Sequence, residues 1–158
     1  MKKIISAIAA LMVCAVMMVS CGGAGGNGPY AAEVKTIKDN KDATEVANAI
    51  YSIILNYEKA NADEIVTAFH AIENIEKNAG KIDESKFKFK GPNDKDNFEM
   101  NCLLCWERVK AQDPELFKKE NELFIKNLKP EDKESGLKSL DDLIEMGKAM
   151  QHMMKVAQ

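Results

Sequence analysis

From Asp42 onward, apolar side chains recur every three or four positions along the chain. They fall into five stripes: Val46, Ile50, Ile53, Ile54 and Tyr57; Ile65, Ala68, Phe69, Ile72 and Ile75; Phe98, Cys102, Cys105 and Val109; Leu116, Phe117, Leu123, Phe124 and Leu128; and Leu140, Leu143, Ile144, Gly147, Met150 and Met154. This spacing matches the 3.6-residue period of a helix with one buried face. It predicts an all-α domain, a small bundle of about four to five helices. The first stripe runs in phase through Asn61 into the second, so residues 43–60 and 62–79 are two helices or one long one, and ordinary helix lengths favour two.

Polar residues at the stripe ends carry capping chemistry. Asp42 with Glu45, Asn61 with Glu64, Asp96 with Glu99 and Ser139 with Asp142 each set an N-cap side chain three residues before an acid. Asp113-Pro114 is a cap followed by the imino acid that suits a first helical turn. Gly80 stands where a helix C-terminus favours glycine. The longest interruption, Gly80 to Asn93, alternates Phe87 and Phe89 with Lys86, Lys88 and Lys90. Extended backbone puts the two rings on one side and the lysines on the other. A loop capping the bundle with its rings explains this better than an anion-binding strip does.

The N-terminus follows a different pattern. Lys2 and Lys3 precede an uncharged apolar run from Ile4 to Val19, then Ser20, Cys21 and a glycine-rich stretch from Gly22 to Gly28. A basic head, an apolar middle and small residues at the end are the layout of an exported signal peptide. The run is shorter than the roughly 20 residues of a membrane-spanning helix. Met18-Val19-Ser20-Cys21 resembles the lipobox of bacterial lipoproteins, differing at Met18, where leucine is commonest. The resemblance covers residues 1–21 alone. It implies that the Cys21 thiol receives diacylglycerol and that cleavage falls between Ser20 and Cys21. Cys14 follows β-branched Val13, which a small-residue cleavage pocket rejects. Two or three acyl chains hold a protein durably where one does not. In Gram-negative members an aspartate after the lipidated cysteine favours inner-membrane retention, and Gly22 in its place favours the outer membrane. The expected organisation is a signal peptide over 1–20, a lipidated cysteine and flexible tether over 21–41, and a helical domain over 42–158.

Composition narrows the function classes. The chain has 158 residues, 30% of them charged, and a formal net charge of -3. Collagenous and wholly disordered classes do not fit. All 25 of its acidic residues lie beyond the signal segment, leaving no broad cationic field for nucleic acid.

The residues that invite chemistry are few. Cys102-Leu103-Leu104-Cys105 has the spacing of a thiol redox motif, but a cap at Asp96 places Cys102 inside a helix, away from the terminal N–H groups that make a thiolate. Trp106 stands where covalent haem attachment needs histidine. Cys102, Cys105, His70 and His152 add up to a four-ligand set for zinc, yet the histidines are far apart in sequence. The better reading is two small core residues on one stripe, with a disulfide between them as a candidate in an oxidising compartment. Near the C-terminus, Met146, Met150, His152, Met153 and Met154 form a candidate soft-metal set, since thioethers suit Cu(I). The methionines also recur at helical spacing on the side of Leu143, as a packed core needs. His70 has Glu73 one turn away, an ordinary polar pairing. No catalytic motif is present, and the sequence implies no cofactor. The function expected is that of a lipid-anchored binding or interaction domain whose partners are the membrane and a protein. Copper binding through the methionines and thiol-disulfide exchange through Cys102 and Cys105 are the alternatives.

Overall fold

The computed structural model describes residues 27–156 apart from 92 and 135. Ser20 and Cys21, and with them the signal peptide and the lipidation site, lie outside the described residues. Within them the fold is all-α with no strand. Seven helices follow in order: α1 Ala31–Asp39, α2 Ala43–Leu55, α3 Ala62–Lys77, α4 Asp94–Gln112, α5 Pro114–Asn127, α6 Pro130–Glu134 and α7 Leu140–Val156, with a 3₁₀ turn at Ala79–Lys81. The five stripes correspond to α2, α3, α4, α5 and α7.

The two further helices left weak signals. Among the five residues of α6 none is buried. Helix α1 falls where a tether to residue 41 is expected, and its buried residue is Val34 alone. No side chain caps α1. Instead Glu64, 34 residues away, accepts the Tyr30 backbone N–H at 2.7 Å.

Capping decides the other boundaries. The Asp42 carboxylate accepts N–H bonds from Thr44 at 2.8 Å and Glu45 at 3.2 Å. Asn61 and Glu64 form a reciprocal box, each side chain accepting the other's backbone N–H at 2.9 Å. That box stops the in-phase stripe from becoming one helix, because Asn61 must leave helical geometry to cap α3. The carbonyls exposed at the break find side-chain donors. Asn101 Nδ2 donates to Ile54 O at 3.1 Å, and Arg108 Nε to Ala60 O at 2.6 Å. Asp113 caps α5 through the Leu116 N–H at 2.9 Å, and Asp142 accepts from Ser139 N and Lys138 N at 2.8 Å.

Two boundaries differ from expectation. Helix α4 begins at Asp94, and Asp96 lies in its first turn, because Asp94 turns back to accept the Gly91 N–H at 2.6 Å. Helix α3 ends at Lys77, and Gly80 sits in the 3₁₀ turn without positive φ; among the described residues only Gly136 has one.

Helix α4 is the centre of the bundle, packed by α2, α3, α5 and α7. Five successive residues, Cys102 to Trp106, are buried, which a helix covered on one face alone does not allow. Each large apolar side chain so enclosed contributes about 1.5–3 kcal/mol. Helix α7 comes close to α4 at Gly147, where a Cβ would lie 2.8 Å from Leu103 Cβ. The Gly80–Asn93 connection folds onto α2 as expected. Tyr51 stacks on Phe98 at 3.9 Å and meets Phe87 edge-on at 5.0 Å, while Lys86, Lys88 and Lys90 stay exposed. Buried Asn48 holds this segment by donating to Lys86 O at 3.2 Å and accepting from Lys88 N at 2.9 Å.

Candidate functional site

Among the described residues, chemistry-bearing side chains occur at three places: inside α4, between α3 and α5, and along the outer half of α7.

Inside α4, Cys102 and Cys105 are free thiols and both are buried, Cys105 at 0% exposure. Cys105 Sγ donates to the Cys102 carbonyl at 3.3 Å. Burial pushes both thiols well above their ordinary range, and Glu99 adds to the effect at Cys102. A thiol-disulfide catalyst needs the opposite, an accessible and stabilised thiolate. The two cysteines act as core residues beside Phe98 and Val109. The neighbouring Tyr51 hydroxyl is also pushed far up, first by burial and then by Cys102, Glu99 and Asp94.

Between α3 and α5, His70 Nε2 lies 2.8 Å from Glu120 Oε2. Sequence spacing pointed to Glu73 as the neighbour of His70, but Glu73 pairs with Lys77. A signal for the real partner was available. Glu120 stands between Phe117 and Phe124 on the buried face of α5 and is only 6% exposed. A carboxylate in an apolar stripe requires a partner from another element. The pair links two helices across 50 residues of sequence. Glu64 is a second buried acid, 2% exposed, and three backbone N–H groups engage its capping box and oxygens. It is structural. Gly28 is seated against it so closely that a Cβ would lie 2.1 Å from Glu64 Oε1.

Along α7, expectation and structure part company. Leu140, Leu143, Ile144 and Gly147 are buried as predicted, and Met150 is half-buried against the core. Met146, Met153 and Met154 are exposed, Met153 at 63%. They are not core fillers: Met146 and Met153 lie about 100° or more around α7 from Leu140, Ile144 and Gly147, and Met154 lies beyond Gly147, the last buried residue of the helix. His152, grouped with them by sequence proximity, is exposed and lies about 200° around the helix from Met150, on the opposite side. It does not belong to the set. The four-ligand count for zinc also fails: His70 is bonded to Glu120, the thiols are buried in α4, and no cluster of three His, Cys, Asp or Glu suited to a metal occurs among the described residues.

No helix among the described residues is long and apolar enough to cross a membrane. No protein-family model, curated protein or solved structure matches this chain.

Proposed function

We propose that the chain is the precursor of a bacterial lipoprotein, held to a membrane through acylated Cys21, whose helical domain works by binding rather than by catalysis. The observation that carries this reading is the run from Lys2 to Cys21: two lysines, an uncharged apolar stretch, and Met18-Val19-Ser20-Cys21 ahead of glycine. Export explains a hydrophobic segment too short to span a bilayer. Lipidation explains why a cysteine stands where the apolar run ends.

The seat of Gly28 against Asn61 and Glu64 supports a short leash. Gly28 is seven positions after Cys21, so full extension spans at most about 25 Å. On this reading the corner between α2 and α3 stays near the membrane surface. Binding is favoured over catalysis because the strongest nucleophiles are enclosed in α4 and His70 is tied to Glu120. Gly22 after the cysteine favours the outer membrane.

The test is metabolic labelling with a radioactive fatty acid, read with the intact mass of the processed chain. Wild type is expected to carry label and to begin at residue 21, whereas Cys21→Ser carries none and stays unprocessed. Label retained on Cys21→Ser, or found on Cys14, overturns the assignment. Density fractionation of the labelled protein then reads which membrane holds it.

A further inference from the structure

The exposed methionines of α7 call for an explanation that packing does not supply. Among the described residues five large hydrophobic side chains are exposed, and four of them, Met146, Met153, Met154 and Val156, lie on the last eleven of those residues. Leucine and methionine serve a helix equally well, and an exposed position serves a core with neither. What methionine alone brings is a polarisable thioether.

Helical geometry gathers these sulfurs. Met150 is one turn from each of the other three, Met146 four residues before it, Met153 and Met154 three and four after. At 100° per residue the four occupy an arc of about 100°, with neighbouring Cβ atoms roughly 5–6 Å apart. Three rotatable bonds per side chain let the sulfurs converge. Glu145, Lys148, His152 and Lys155 fall on the other side of α7 by the same count, and Lys148 is engaged by Glu107 at 2.8 Å. On this helix the arc thus offers soft sulfur donors and no carboxylate or imidazole.

We propose that Met146, Met150 and Met153, with Met154 on the flank, form a thioether site for one soft monovalent metal ion, Cu(I) or Ag(I). Soft ligands select such ions over Mg²⁺, Ca²⁺ or Zn²⁺. Binding changes no oxidation state, since the ion arrives as the monovalent species and the thioethers are neutral. The site does not depend on the lipid anchor, so either reading stands if the other fails.

The test uses the purified full chain carrying Cys14→Ser and Cys21→Ser in detergent micelles, so that no N-terminal thiol competes with the thioethers for the soft ion and acylation does not enter. Silver nitrate is titrated in chloride-free buffer while the methionine methyl groups are followed by NMR, and Cu(I) affinity is read by competition with a chromophoric chelator. One equivalent of Ag(I) is expected to move the Met146, Met150 and Met153 methyl resonances and to leave Met100 unmoved. The Met150→Leu/Met153→Leu variant keeps side-chain size, so it should unfold at the same urea concentration as wild type and bind Cu(I) at least tenfold more weakly. Cys102→Ala/Cys105→Ala should bind as wild type does. The proposal is overturned by unmoved α7 methyl groups, by undiminished affinity in the methionine variant, or by affinity lost only with the cysteines.

Discussion

Gly147→Ala places a methyl group where α7 crosses α4. The new Cβ would lie 2.8 Å from Leu103 Cβ, 3.0 Å from Leu104 Cδ2 and 3.1 Å from Leu104 Cγ. Leu104 has rotamers with which to yield. Leu103 Cβ is bonded directly to the backbone, so relieving that contact means moving α4, and α4 is held by three other helices. Overpacking of this kind costs about 1–3 kcal/mol, and a rigid central helix argues for the upper half of the range. Against it stands the helix propensity that alanine gains over glycine, about 1 kcal/mol. The expected balance is a loss of about 1–2 kcal/mol, read by urea unfolding followed by circular dichroism. Gly80→Ala is the control. Nothing lies within 4 Å of its new Cβ and its φ is not positive, so it should be neutral or gain up to about 1 kcal/mol from reduced freedom of the unfolded chain. A Gly147→Ala protein as stable as wild type, or two alanine variants that behave alike, would refute the close-approach argument.

Three further outcomes follow from the buried and capping groups. Iodoacetamide at mildly alkaline pH should leave the peptide bearing Cys102 and Cys105 unmodified in the native protein and label both in denaturant, because burial raises both thiols and blocks access; rapid labelling of the native chain would show that α4 is not enclosed. Glu120→Ala should cost about 1–3 kcal/mol by removing the acceptor opposite His70, and in a double-mutant cycle with His70→Ala the coupling should exceed about 0.5 kcal/mol. Additive losses would sink that link. Bonds from the Glu45 and Thr44 N–H groups hold the Asp42 carboxyl below its ordinary 3.8. A lowered folded-state value means stabilisation that is present above 3.8 and lost as pH falls through the folded value. The stability gap between wild type and Asp42→Asn should therefore be constant near neutrality and narrow below pH 3.8. A gap unchanged down to pH 3 would contradict it.

Local chemistry was legible without the fold. The all-α class and five helices could be read because apolar period and capping residues act within a few positions of one another, and so could the caps at Asp42, Asn61, Asp113 and Ser139. The Cys102 and Cys105 stripe also disclosed its place in the core, since Phe98 and Val109 share its phase. Tertiary structure alone decided what depends on partners distant in sequence. Helix α1 buries too little by itself to announce a helix, and it is fastened by Glu64, whose second oxygen no local motif assigns. The contact that ties His70 to α5 spans 50 residues, because a carboxylate between two phenylalanines needs a donor from another element. Above all, periodicity reports which residues share a face of α7 and cannot report where the neighbouring helices end. The stripe from Leu140 to Met154 is continuous in sequence, yet its buried part stops at Gly147 with Met150 half-covered, and only the packed bundle separates the side chains that build the core from those left facing water.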